Sequence, residues 1–119
     1  MTPLFVRWAI AFAFTQMVEA PIYAAVIGES RVRRERWAIA LAASLLTHPM
    51  VWFVIPDLVS HLAPEASHWS AIAVAETFAV TLEAAWLHTF GVRHALALAL
   101  VANGASFTLG LFAYVYLAW

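Results

Sequence analysis

The sequence contains no cysteine and no lysine, and charged side chains of either sign are scarce. The absence of cysteine excludes disulfides, thiolate metal sites and cysteine nucleophiles. Charged residues make up 11% of the 119 residues, whereas roughly a quarter of the residues of a soluble domain are charged. The net charge of −1 gives no indication of nucleic-acid binding or of polybasic attachment to anionic lipid.

Apolar residues take the place of the missing charges and account for 65% of the chain. A soluble protein this small could not bury so much apolar surface, so lipid is the expected surrounding. The residues concentrate in four long apolar stretches, and each is close to or above the ~20 residues that cross a bilayer. The predicted spans are 3–27, 36–55, 68–90 and 95–119, within a single transmembrane domain 1–119. Short connections predict an all-α, up-down-up-down four-helix bundle.

The breaks between the stretches predict the topology. We expect the second helix to be stopped by Pro56 and followed by a loop over 56–67. The first loop carries four arginines and the third carries Arg93, while the second loop carries none. By the positive-inside rule, loops one and three are cytoplasmic and both termini lie outside.

Each predicted span carries one stripe of polar side chains at helical spacing. The stripes are Gln16, Glu19 and Tyr23 in the first span; Ser44, Thr47 and His48 in the second; Glu76 and Glu83 in the third; and Asn103, Ser106 and Gly110 in the fourth. Two prolines, Pro21 and Pro49, lie beside these stripes and remove backbone hydrogen bonds there.

Insertion energetics predict that the stripes face inward. An ionisable residue at the middle of a bilayer costs about 2.5–3.5 kcal/mol, so Glu76 and Glu83 together cost about 5 kcal/mol or more. The apolar residues of the same span return only about 2–4 kcal/mol on that scale. We therefore expect both carboxyl groups to point into the bundle, where partners make their burial tolerable.

The polar set predicts a functional site in the interior, since polar residues inside membranes are candidates for function. The expected ligand-binding residues are Glu19, Tyr23, Thr47, His48, Glu76, Glu83, Asn103 and Ser106. One hypothesis is a site for a proton or for a divalent metal such as Zn, Mn or Fe, with Glu19, His48, Glu76 and Glu83 as metal ligands. Such a site would serve transport or ligand binding, and a chain this small would favour a homo-oligomer for transport.

Two alternatives remain open at the level of sequence. An intramembrane enzyme acting on a lipid or isoprenoid headgroup could use a glutamate as general acid or base, with His48 as its partner. No established catalytic motif supports this reading. A structural or accessory membrane subunit is the other alternative, in which the polar cluster only fixes the register of the helices. The expected partners are membrane lipids and, for transport, further copies of the same chain, whereas nucleic acid is not an expected partner.

Four segments carry a resemblance to a known group of proteins. They are Glu19-Ala20-Pro21-Ile22-Tyr23, Leu45-Leu46-Thr47-His48-Pro49, the pair Glu76 and Glu83, and Ala102-Asn103-Gly104-Ala105-Ser106-Phe107. In these segments the chain resembles a family of small, four-span bacterial inner-membrane proteins. The resemblance implies a location in the inner membrane and has no activity to carry over.

Overall fold

The computed structural model describes residues 2–28 and 30–117, and the described chain is helical as expected. It contains four helices that are long and apolar enough to cross a membrane. These helices are α1 (Leu4–Val26), α2 (Arg33–Leu62), α3 (His68–Thr89) and α4 (Ala95–Leu117). The prediction of an integral membrane protein with an all-α four-helix fold is confirmed. The predicted last two residues of the fourth span lie outside the described residues.

The helices form a closed ring in which each one packs against two neighbours. Helix α1 packs against α2 and α4, and α3 packs against the same two helices on the opposite side. Consecutive helices are antiparallel because their connections are short. One end of the bundle therefore carries the α1–α2 and α3–α4 connections, and the other carries the α2–α3 connection and the start of α1.

Helix α2 is longer than the sequence predicted, and the predicted stop at Pro56 is wrong. The helix begins at Arg33 rather than Arg36 and continues through the proline to Leu62. A π-helical turn covers Met50–Val54, and Pro56 lies in the first turn of the α-helical segment that follows it. A proline lacks only its own N–H, and the first turn of a helix is where that loss is tolerated. The predicted loop 56–67 is correspondingly reduced to the residues between Leu62 and His68.

The bundle is tightly packed at the end that carries the two arginine-containing connections. Its core there consists mainly of small residues with a few large ones: Ala20, Tyr23, Ala24, Ile27, Ile39, Ala40, Ala43, Leu87, Val92, Ala95 and Ala102. The indole Nε1 of Trp86 donates to the carbonyl oxygen of Ile39 at 3.0 Å and joins α3 to α2. Alanine lets helix backbones approach closely, so this end leaves little space between the helices.

Candidate functional site

The opposite half of the bundle contains a cavity of about 940 Å³. All four helices contribute to its walls. Its lining reaches from the polar residues at mid-bundle to the start of α1, the start of α3 and the end of α4, where Arg7, Trp69 and Tyr114 border it. The cavity therefore extends toward the end of the bundle that lies away from the arginine-rich connection, and the packed core lies beneath its floor.

Glu83 on α3 is the centre of the larger hydrogen-bond network in the floor. Its carboxylate accepts hydrogen bonds from the hydroxyl of Tyr23, from Thr47 Oγ1 at 2.7 Å and from Asn103 Nδ2 at 2.8 Å. Asn103 also donates to the carbonyl oxygen of Ala99 at 3.0 Å, within its own helix. The side chain of Glu83 is 1% exposed. One carboxylate thus connects α3 with each of the other three helices.

Glu19 on α1 is the centre of a second network at the same level. Its carboxylate accepts from Ser44 Oγ and from Ser106 Oγ, each at 2.5 Å. The side chain of Glu19 is also 1% exposed. Hydroxyl groups on α2 and α4 therefore hold this carboxylate in place. Ser44 and Thr47 lie one turn apart on α2, and Asn103 and Ser106 lie one turn apart on α4. Because residues one turn apart share a helix face, each of these helices contributes one side chain to each network.

His48 lies outside both networks, although it borders the same cavity. Its Nε2 is 3.4 Å from Thr15 Oγ1, and its Nδ1 has no hydrogen-bond partner among the described residues. Three aromatic rings surround the imidazole, those of Trp8, Phe12 and Trp52, with ring centroids 5.2–6.3 Å away. The π-helical turn after Pro49 places Trp52 against this histidine, stacked at an interplanar angle of 23°.

Glu76 lies in the wall of the cavity, two turns before Glu83 on α3. It is only half-buried, and within the described part of the chain no hydrogen bond or ion pair involves its carboxyl group. Glu19 and Glu83 are therefore held by hydrogen bonds from neighbouring side chains, whereas the carboxyl oxygens of Glu76 accept no hydrogen bond from the described residues.

The structure brings together most of the residues that the sequence predicts for the site. Glu19, Tyr23, Thr47, Glu83, Asn103 and Ser106 take part in the two networks, while His48 and Glu76 border the cavity without joining them. Across residues 2–28 and 30–117, no group of three or more histidine, aspartate or glutamate side chains lies close enough together to hold a metal ion. A metal bound by Glu19, His48, Glu76 and Glu83 would require these side chains to approach one another.

Several residues of the site are absent from the set predicted from sequence. Ser44 completes the binding of Glu19, and its position one turn before Thr47 is the signal that could have selected it. Thr15 lies one turn before Glu19 on the same face of α1 and borders His48. The tryptophans Trp8 and Trp52 fit the pattern of interfacial anchors in sequence, and only the structure places them around the histidine.

The charge of the cavity is not balanced by basic side chains. Among the described residues, three glutamates line it, Glu19, Glu76 and Glu83, together with one arginine, Arg7, and two histidines, His48 and His68. In the described ranges no ion pair involves any of these glutamates.

No family model, curated protein or solved structure matches this chain.

Proposed function

We propose that the cavity of this membrane protein binds a cation, either a proton or a larger positively charged ligand, in the service of transport or ligand binding. The observation that carries the proposal is the unbalanced charge of the lining, where three glutamates face one cavity without an ion pair to any basic side chain of the described chain.

The physical reason is the cost of charge inside a membrane. The idealised cost of moving a carboxylate from water into a medium of low dielectric constant is of order 20 kcal/mol, and several kcal/mol remain after relaxation. Hydrogen bonds from Tyr23, Thr47 and Asn103 offset part of that cost for Glu83. They bring no positive charge, so three ionised glutamates would still repel one another. A proton or a bound cation removes that repulsion.

Which cation binds depends on which carboxyl oxygens are not already engaged in hydrogen bonds. The second form of the proposal is a divalent metal held by Glu19, His48, Glu76 and Glu83, but Glu19 and Glu83 already accept hydrogen bonds from neighbouring side chains. Their oxygens would have to exchange those partners for the metal. Protons on the buried pair keep the same partners and require only that a neighbouring hydroxyl, such as that of Tyr23 or Ser44, turns to accept from the carboxylic acid. A cation at Glu76 displaces no partner, and this is the form of the proposal that the geometry supports best.

The side of access follows from the packing of the bundle. If the positive-inside rule holds for this chain, the arginine-rich end is cytoplasmic and the cavity faces the outside. Transport would then require the packed core around Tyr23 and Leu87 to open in a second conformation, whereas ligand binding needs only the conformation described. In a bacterial cell, this arrangement would place the cavity on the outer face of the inner membrane.

Infrared spectroscopy tests the proton form of the proposal directly. In the protein reconstituted in lipid nanodiscs at neutral pH, we expect the carbonyl stretch of protonated carboxylic acids. This band should decrease in at least one of the variants Glu19→Gln, Glu76→Gln and Glu83→Gln. Glu65→Gln is the matched control, because it makes the same chemical change on an exposed residue outside the cavity.

Calorimetric titration with Zn²⁺ and Mn²⁺ tests the metal form in the same preparation. Binding by the wild type that disappears in His48→Ala would support it, and no binding, or binding unchanged in that variant, would refute it. The proposal as a whole fails if the wild type shows no protonated carboxyl group and binds neither metal nor any organic cation.

A further inference from the structure

We infer that the cavity takes an ammonium group attached to an apolar body, with the ammonium at Glu76 and the apolar body against the aromatic wall. This inference rests on the proposed function and specifies the class of its ligand. The ammonium could belong to an amphipathic amine from the aqueous phase or to an amine-bearing lipid headgroup, since the two share the recognised chemistry.

The size of the cavity is the first argument for an organic ligand. Its volume is about 940 Å³, and pockets for drug-sized molecules have volumes of about 300–1,000 Å³. A proton or a single metal ion fills a negligible part of such a space. A metal site also needs three or four ligands gathered around one point, and the described chain offers no such group.

The carboxyl group of Glu76 is available to bind a ligand. Glu83 accepts three hydrogen bonds and Glu19 accepts two, and both side chains are almost completely buried. Glu76 is half-buried in the wall and has no hydrogen-bonding neighbour among the described residues. An ammonium ion can therefore bind Glu76 without displacing a partner. A hydrogen bond that joins two charged groups is roughly twice as strong as one between neutral groups.

His48 supplies a second polar group that still lacks a partner. It is 8% exposed, it borders the cavity, and its Nδ1 has no hydrogen-bond partner within the described residues. A buried polar atom without a partner is destabilising, so a ligand that supplies one is favoured. The same wall contains Thr15, which is 3.4 Å from Nε2 and makes at best a weak hydrogen bond. Nδ1 is itself buried, so an N–H donor of a ligand reaches it when the imidazole ring turns toward the cavity.

The rest of the cavity wall is apolar and partly aromatic. Large apolar side chains cover it on every helix, and the aromatic ones include Trp52, Trp69, Phe107 and Tyr114. Aromatic faces attract cations and also pack against apolar bodies. Trp69 is 62% exposed and Tyr114 is 62% exposed, so these rings are free to contact a ligand at the outer part of the cavity.

The sign of the ligand's charge follows from the distribution of charges along the cavity. Arg7 lies twelve residues before Glu19, about 18 Å along α1 at the usual rise, and it borders the outer part of the cavity. Glu19 and Glu83 lie in the floor, and Glu76 lies in the wall two turns before Glu83. An anionic ligand that passed Arg7 would meet these carboxyl groups, whereas an ammonium ion would be attracted to them.

A matched series of four ligands tests the inference by calorimetric titration in phosphatidylcholine nanodiscs. The ligands are 4-phenylbutylamine, its trimethylammonium analogue, 4-phenylbutanol and 4-phenylbutyrate, and empty nanodiscs correct for partition into lipid. The amine should bind at least tenfold more tightly than the alcohol or the carboxylate. The trimethylammonium analogue should bind between these limits, because it keeps the charge and loses the N–H donors.

Two variants test the assignment to Glu76. Glu76→Gln should weaken binding of 4-phenylbutylamine at least tenfold and leave binding of the alcohol unchanged. Glu65→Gln should change neither. Equal affinities of the wild type for the amine and the alcohol would overturn the inference, and so would an effect of Glu76→Gln no larger than that of the control. The ligand series on the wild type keeps the inference testable if Glu76→Gln does not fold.

The source of the ammonium is identified by adding phosphatidylethanolamine to the nanodiscs. A competitive loss of affinity for 4-phenylbutylamine supports a lipid headgroup as occupant, and unchanged affinity supports an amine from water. If no member of the series binds while the infrared band of protonated carboxyl groups is present, the ammonium inference fails and the proton form of the proposed function stands.

Discussion

Removing the hydroxyl of Tyr23 tests whether the floor network stabilises the bundle. Tyr23 is fully buried, its hydroxyl donates to Glu83, and the Asn103 amide lies 3.2 Å from the same oxygen. Tyr23→Phe deletes that oxygen and keeps the ring, so the packing of the arginine-side core is preserved. We expect a lower free energy of unfolding with no change in helix content.

The magnitude follows from what the variant leaves behind. Glu83 keeps its hydrogen bonds from Thr47 and Asn103, and Asn103 keeps the one to the carbonyl oxygen of Ala99. Tyr23→Phe leaves neither Glu83 nor Asn103 without a partner, so the penalty for an unsatisfied atom does not add. Hydrogen bonds between side chains inside membrane proteins contribute about 0.6 kcal/mol on average and up to about 1.7 kcal/mol. We expect a loss toward the upper value, about 1–1.5 kcal/mol, because the hydroxyl is fully buried and bonds both Glu83 and Asn103.

The assay is reversible unfolding in mixed micelles with increasing sodium dodecyl sulfate, followed by far-UV circular dichroism. Tyr114→Phe is the matched control, since it makes the same change on a side chain that is 62% exposed. Its free energy of unfolding should equal that of the wild type within error. If Tyr23→Phe is no less stable than Tyr114→Phe, the hydroxyl does not stabilise the fold and the reasoning from the floor network is refuted.

Two further predictions use the same unfolding assay. Ser44→Ala and Ser106→Ala should each lower the free energy of unfolding by about 0.5–1.5 kcal/mol, and together by more than the sum, because Glu19 then loses both of its donors; strict additivity would contradict the paired role. Gly91 has φ +76° and no atom within 4 Å of an added Cβ, so Gly91→Ala should destabilise by about 1–2 kcal/mol through backbone conformation alone. Gly104→Ala, equally free of contacts but inside α4, should stabilise by about 0.5–1 kcal/mol, and equal effects of the two changes would refute the conformational argument.

Local pattern predicted much of the site because a helix fixes which of its own residues share a face. Glu19 and Tyr23 lie one turn apart on α1 and face the bundle interior as the spacing predicts, with Glu19 in the floor of the cavity and Tyr23 bonded to Glu83 from the packed core beneath it. The same logic could not separate Glu76 from Glu83. They are seven residues apart and share a face of α3. Glu83 accepts three hydrogen bonds, whereas Glu76 accepts none from the described residues. The difference arises because the bundle is closed at the level of Glu83 and open at the level of Glu76.

The extent of α2 shows the limit of local signals in another way. Pro56 predicts a helix end, but the π-helical turn before it places the proline where its missing N–H is tolerated. That turn also brings Trp52 against His48. Neither the continued helix nor the aromatic surroundings of the histidine follow from residue spacing.

Composition and residue spacing alone predict a membrane protein of four helices with inward-facing polar residues. Apolar length and the cost of charge in lipid are properties of each segment alone, so no knowledge of the packing is needed to apply them. Only the tertiary structure decided which polar groups meet. Hydrogen bonds between helices depend on the axial shift of each helix relative to its neighbours and on the distances between the helix axes. Both quantities are set by the packing of all four helices together. As a result, two carboxyl groups, those of Glu19 and Glu83, are held by neighbours in the floor of a ligand-sized cavity. The third, that of Glu76, lies in the cavity wall and has no hydrogen-bonding neighbour among the described residues.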